Sequence, residues 1–388
     1  MKILAIVSTL DLKYSLGCTP AWWQLFKALH ETGNEVVAIP YLGKPVESLW
    51  WRTYRNPCAR ESELYDSFLE KTGNRLKGGG LFSRASSKII EHYIRPKWEK
   101  YLFSILARES DFDAILFMNV PLNHLTGVPS KIKKEIGIPI VYYDGDMPTI
   151  LPQYVEERGF RFNYYLNADL TEYDAFITNS KGVIPTLKEL GAQNVSTLYY
   201  GVDPDLYAPL DIEQDIDVFY YGHGSQTREE RMNFMITQPS NILVGVNFVV
   251  GGKDLSLDLG LAKMQGFIAF SAWQHFCRRS KINLNITRET HAKTYASSTS
   301  RPFELASLGC CVVSDPYSGL EEWFEVGKEM FMVHNTEEAV ETYRMLLSSE
   351  ELRRNTGELA RQRVLREHTF RHRAAQLLSI LQETGSHF

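Results

Sequence analysis

The feature that most constrains this chain is a series of short, nearly continuous apolar runs separated by segments of helical period. In the first half they fall at 2–8, 35–40, 113–118, 138–143, 174–178 and 195–199. A strand with one wet face alternates polar and apolar residues. Runs apolar throughout belong to strands covered on both faces, as in a parallel sheet wrapped by helices. Between the first two runs, Thr19 reads as an N-cap and Pro20 as the first helical residue. Trp22, Leu25, Phe26 and Leu29 follow at one-face spacing, and Gly33 closes the helix. This is a βαβ unit with Gly17 in its first turn.

The pattern then runs a second time. Residues 202–217, VDPDLYAPLDIEQDID, carry two prolines and six acidic residues without helical or strand period. They read as a linker. Beyond them, apolar runs at 217–221, 242–250, 281–286, 310–314 and 330–333 alternate with helices. A length of 388 residues exceeds what one hydrophobic core usually serves. The expected organisation is an α/β chain of two doubly wound domains, 1–205 and 206–368, followed by a last helix over 369–388. Residues 48–110 fit this scheme poorly and read as an insertion. They hold the basic, glycine-rich stretch KTGNRLKGGGLFSRASSK and then a helical run over 88–107 interrupted by Pro96. That insertion reads either as a surface loop or as a lid over an acceptor.

Several partner classes are disfavoured. A net charge of -5 provides no field for nucleic acid or anionic lipid, so any phosphate recognition must be local. No apolar run approaches a membrane span, and the first ten residues do not resemble a secretion signal, which points to a cytoplasmic protein. The five cysteines, Cys18, Cys58, Cys277, Cys310 and Cys311, are scattered without a C-x-x-C pair, so neither disulfides nor a zinc site is expected.

In doubly wound sheets, ligands bind beyond the carboxyl ends of the strands, and two facing domains form a cleft there. Three strand ends of the second domain carry suitable chemistry. The first is YGHGSQTREER (221–231), where Gly222 and Gly224 flank His223 and Arg228 and Arg231 follow. It suits a diphosphate, or is an ordinary tight turn with solvated arginines. The second runs from Asn285 through a Ser/Thr-rich turn into RPFELASLG (301–309). There Arg301 can meet a phosphate and Glu304, placed in the first helical turn, can accept ribose hydroxyls, or favour the helix dipole. The third is DPYSGLEE (315–322), with Ser318, Gly319, Leu320 and Glu321. On the first domain His124, Asp144 and Asp146 follow strands. The carboxylates read as turn caps or a metal pair, and the histidine as a base or as plain loop polarity.

Taken in order, FYYG (219–222) with Arg231, KINLN (281–285), RPFELASLG (301–309), GLEE (319–322) and REHT (366–369) resemble retaining GT-B glycosyltransferases of the group 1 type, in particular the spore-maturation CgeB-like branch. The segment 178–209 is similar to the end of such an N-terminal domain. The resemblance implies a GT-B fold, two Rossmann-like domains facing across a cleft, and hexosyl transfer from a nucleotide-sugar, UDP-linked by preference, without cofactor or metal. It implies that Glu304 binds the donor ribose and that Gly222, His223, Gly224, Asn285, Arg301 and the 318–321 turn surround the diphosphate and sugar. It implies too that the last helix, 369–388, crosses back to the first domain. Arg228 or Arg231, with Arg301, would stabilise the leaving group, and His124 is a catalytic candidate on the acceptor side. Gly17, Asp144 and Asp146 would face the acceptor. One departure is plain: related enzymes often carry a second glutamate where this chain has Ala296. A GT-B epimerase or hydrolase and a non-catalytic nucleotide-sugar sensor are the alternatives. A nicotinamide dehydrogenase is disfavoured because the turn STLDLKYSLGCT (8–19) lacks G-x-G-x-x-G.

Overall fold

In a computed structural model the chain is described over residues 1–11, 20–61, 63, 87–154, 164–222, 226–253, 255 and 257–386. The described strands form two fully parallel sheets. The first comprises β1 (Lys2–Thr9), β2 (Glu35–Leu42), β3 (Arg52–Thr53), β4 (Ala114–Met118), β5 (Ile140–Asp144), β6 (Ala175–Thr178) and β7 (Val195–Thr197), in spatial order β3-β2-β1-β4-β5-β6-β7. The second comprises β8 (Ile216–Tyr221), β9 (Phe248–Gly251), β10 (Lys263–Gly266), β11 (Ser280–Asn285), β12 (Val312–Ser314) and β13 (Phe331–Met332), in order β10-β9-β8-β11-β12-β13. In each sheet the order reverses around its first strand in sequence, at β1 and at β8. Such switch points open a crevice at the carboxyl ends of the strands.

The central strands are apolar on both faces because both faces are covered. In β1, Leu4 and Ile6 join one core with Val37, Ile39 and Phe117. Ile3, Ala5 and Val7 join another with Leu25, Phe26 and Leu29. The main covering helices are α1 (Ala21–Glu31), α2 (Arg95–Arg108), α3 (Phe270–Arg279), α4 (Ser300–Ser307), α5 (Glu350–Glu367) and α6 (Phe370–Gly385). Helix α2 belongs to the poorly fitting segment, yet its Trp98, Leu102 and Ile105 are fully buried in the first core. Pro96 does not break the helical run: a π-helical turn at Ile90–Ile94 precedes it, and the α-helix resumes with Pro96 in its first turn, where a missing N–H matters least.

Helix α6 packs Phe370, Ala374, Leu377 and Leu381 beside Leu25 and Phe26 of α1. Each large apolar side chain buried in this way contributes about 1.5–3 kcal/mol. Thr369 caps the helix and exchanges hydrogen bonds with His372. The two chain crossings between the sheets run side by side: Val202 N–H donates to His368 O (3.1 Å) and Phe370 N–H to Val202 O (3.0 Å).

Two strands were not expected, and several expected strands are shorter, most of all the one over 242–250. β3 is two residues long and β10 is a polar edge strand, KMQG, so neither produces an apolar run. Of the apolar run 242–250, only its last three residues enter the sheet, in the strand Phe248–Gly251. The preceding residues close the helix Gln238–Ile242 and turn at Gly245, whose φ of 94° is left-handed. A short apolar run can be a helix end as readily as a strand, and here Ile242 and Val244 are exposed.

Candidate functional site

A cavity of about 600 Å³ lies between the two sheets at both switch points. The first sheet contributes Thr9 at the end of β1 and Asp11 after it, Trp22 and Gln24 at the start of α1, and Gly145 and Asp146 after β5. The second contributes Tyr220, Tyr221 and Gly222 at the end of β8, then Arg228, then Asn285 to Arg288 after β11, His291, and Ser298 to Arg301 entering α4. Gly222, Arg228, Asn285, Arg301 and Asp146 thus come together as cavity residues. Gly17, His223 and Gly224 lie outside the described residues.

The start of α4 is the most polar part of this wall. Thr299 holds the N-cap position, and Ser300 and Arg301 open the helix, so their backbone N–H groups have no intrahelical partner. Such an end attracts anions. Arg301 is held by stacking: its guanidinium lies 4.3 Å from the Trp273 ring centroid and 5.7 Å from that of Tyr221. Arg228 donates from Nε to Ile286 O (3.2 Å). Arg288, the N-cap of the helix Glu289–Lys293, adds a third guanidinium. Its position directly after a strand end was the available signal, but no motif singled it out. Asn285 donates to Ser314 Oγ (2.9 Å), fixing the floor between β11 and β12.

Tyr220 was also missed, because it reads as part of an apolar strand. Its side chain is buried, it lines the cavity, and its hydroxyl has no hydrogen-bond partner among the described residues. A Cβ on Gly222 would stand 2.2 Å from that hydroxyl, so glycine is required beside it.

Other expected site residues are elsewhere. Glu304 is in the second turn of α4, fully buried and off the cavity surface. One carboxylate oxygen accepts from Tyr207 Oη (3.1 Å), and the other is 3.8 Å from Arg301 Nε. Burial raises its pKa against the opposing pull of Arg301. Arg231 is nearly buried and ion-paired with Asp315 at 2.9 Å, so its charge is committed below the cavity. Burial pushes the Asp315 carboxyl up to about 7, with Arg231 pulling it down.

The turn at Ser318, Gly319, Leu320 and Glu321 does not line the cavity. Ser318 O accepts from Ala296 N–H (2.9 Å), and a Cβ on Gly319 would meet Ala296 N at 2.3 Å. Ala296, where related enzymes often carry glutamate, is fully buried against this turn at a left-handed φ of 44°.

On the first sheet, His124 does not line the cavity. Its Nδ1 pairs with Tyr41 Oη at 2.6 Å, and burial drives its pKa down to about 3. Asp144 is fully buried, accepting from Tyr165 Oη (2.6 Å) and from the N–H of Asp146 (2.9 Å). This is turn-capping geometry. Asp146 reaches the cavity and accepts from Asn119 Nδ2 at 3.2 Å. Among the described residues no three His, Cys, Asp or Glu cluster as metal ligands, and no helix is long and apolar enough to cross a membrane. Cys310 and Cys311 are core residues whose thiols burial pushes up to about 12.

Residues 229–379 match the family model described as glycosyl transferase-like. No curated protein matches the chain by sequence. Among solved structures, sucrose-phosphate synthase from Thermosynechococcus elongatus is similar with a TM-score of 0.67 at 13% identity, covering 100% of both chains. HepE of Anabaena in complex with UDP-glucose gives 0.58 at 13% identity, covering 99% of this chain and 100% of that one. The E. coli trehalose-6-phosphate protein bound with UDP-2-fluoro glucose gives 0.58 at 12%, covering 98% of each. With parallel sheets of seven and six strands matched along the whole chain, this protein has the GT-B fold and carries a glycosyl transferase-like match across most of its second half.

Proposed function

We propose that the chain transfers a glycosyl group from a nucleoside-diphosphate sugar to a hydroxyl acceptor. The donor lies on the second-sheet wall of the cavity and the acceptor on the first. One observation carries this: Arg228, Arg288 and Arg301 converge with the N-terminus of α4 on a wall with no carboxylate among its described residues. A diphosphate is the ligand such a wall suits, since guanidinium and helix N–H groups both bind phosphate oxygens. The unpartnered Tyr220 hydroxyl adds a donor at the Gly222 end.

In the reaction, the bond from sugar C1 to the diphosphate oxygen breaks, and the electron pair leaves on that oxygen. The three arginines and the helix N–H groups stabilise the developing charge. The acceptor oxygen bonds to C1, and its proton passes to the departing diphosphate. We propose retention of configuration, as the sequence resemblance implies, and no metal requirement, the chain's own cations meeting the charge. UDP is the favoured nucleotide, because HepE and the E. coli protein of like fold were solved with UDP-sugars. Asp11, Trp22, Gln24 and Asp146 provide the acceptor side, which favours transfer over donor hydrolysis or mere sensing.

The test is incubation of UDP-glucose and other UDP-hexoses with a panel of saccharides in EDTA, with products followed by mass spectrometry and anomeric NMR. Glycosylated product that is lost in Arg301→Ala supports transfer. Release of free sugar alone indicates a hydrolase, and bound donor without turnover indicates a sensor.

A further inference from the structure

We propose that Asn179, a residue of the first sheet's side, positions the α4 helix start on the opposite side and so sets its affinity for a diphosphate. The proposal rests on reading the cavity as a nucleoside-diphosphate site. Asn179 follows β6 and is fully buried. Its carbonyl accepts from Ser298 N–H (3.0 Å) and from Ser298 Oγ (2.9 Å). Its side-chain Nδ2 donates back to Ser298 O (2.9 Å). Both backbone polar groups of Ser298 are therefore held by one residue of the other domain.

The same side chain also holds the acceptor-side turn of its own domain. Its Oδ1 accepts from Met147 N–H (3.1 Å) and its Nδ2 lies 3.3 Å from Met147 O. Met147 adjoins Asp146, and Ser298 is two residues before the first residue of α4. Asn179 thus ties the acceptor-side turn to the donor-side helix entry.

The surrounding contacts extend the seam. Lys181 N–H donates to Ala296 O (3.2 Å) and Gly182 N–H to Tyr295 O (2.9 Å). A Cβ on Gly182 would stand 2.9 Å from the Tyr295 backbone, so a glycine permits this approach. Ser297 Oγ donates to Met147 O (3.1 Å), and Tyr200 N–H to Ser298 Oγ (2.9 Å).

Fixing a loose backbone residue costs conformational entropy. A loop ordered only on ligand binding subtracts that cost from affinity. Here residues 295–298 are ordered on folding, by partners in the other domain. A purely structural asparagine would contribute to thermal stability and leave ligand affinity untouched.

The experiment is calorimetric titration of UDP into the full-length protein, well below each variant's Tm. Asn179→Leu keeps the approximate size and removes the side-chain bonds; the UDP Kd is expected to rise about tenfold, a change of about 1.4 kcal/mol. Ile177→Val, in the same strand but packed in the core shared with α1 and α6, is expected to leave Kd within about twofold, whatever it does to Tm. Should Asn179→Leu not fold, hydrogen exchange of the wild type decides: peptides covering 295–301 exchange slowly before UDP is added if the segment is preordered. Fast exchange there, or an unchanged Kd in Asn179→Leu, overturns the role of Asn179 alone. A wild type that binds no UDP overturns the site reading and this proposal together.

Discussion

The guanidinium carbon of Arg301 lies over the Trp273 ring, 4.3 Å from its centroid, so the charge at the α4 start is held against an aromatic face. Lysine keeps the charge but has no planar group to stack and no fork of donors. Arg301→Lys is expected to raise the UDP Kd about tenfold, the charge-assisted hydrogen bond being worth about 1.5–3 kcal/mol, with Tm nearly unchanged. Calorimetry on the two proteins checks this, and equal affinities would show that stacking is irrelevant to binding.

Tyr220 gives the opposite signature. A buried hydroxyl without a partner costs about 1–3 kcal/mol, and removing it is neutral or stabilising. Tyr220→Phe is expected to leave Tm unchanged or raised, while weakening UDP-sugar binding by about fivefold to tenfold, the value of one hydrogen bond. A lower Tm with unaltered binding would place the hydroxyl's role in folding.

Glu304 separates two ways of holding the nucleotide. From the resemblance it binds ribose, yet its carboxylate is fully buried beside Tyr207 and Arg301. If it acts through Arg301, Glu304→Gln weakens UDP and 2′-deoxy-UDP by the same factor, about threefold to tenfold. If it contacts the ribose, the wild type prefers UDP and the variant loses that preference. The buried geometry favours the first outcome, and competition binding with the two nucleotides reads it.

His124 is expected to shape acid stability rather than catalysis. Its folded pKa, near 3, lies below the ordinary 6.5 because burial disfavours the charged ring. The stability it contributes is therefore complete above pH 6.5 and is lost as pH falls through about 3. His124→Gln keeps an acceptor for Tyr41, so its stability, followed by urea denaturation, should fall less steeply across that window than the wild type's. Part of the slope remains, since burial lowers His368 to about 3 as well. Identical slopes in the two proteins would contradict the assignment.

The sheets were legible because β1 and β8 are apolar on both faces, a pattern with few competing explanations. β10, polar and at an edge, had no such pattern. At the site, Arg228 and Arg301 were found because they follow strand ends, where doubly wound folds place ligands. The same rule selected Arg231 and His124, and could not show that each faces a buried partner, Asp315 and Tyr41. Pairing between residues more than 80 positions apart leaves no periodic trace in sequence. Asn179 illustrates the limit most clearly: its partner Ser298 is 119 residues away, and only the apposition of the two domains makes them neighbours.

The central claim is that the arginine-lined wall binds a nucleoside diphosphate. Titration of UDP into the wild type and into Arg288→Ala/Arg301→Ala tests it most directly. Two charge-assisted contacts at about 1.5–3 kcal/mol each imply a loss of at least about a hundredfold in affinity. Saturable binding in the wild type, lost in the double variant while its Tm holds, is the expected result. Absence of binding to the wild type, or equal affinity in the two proteins, would contradict it.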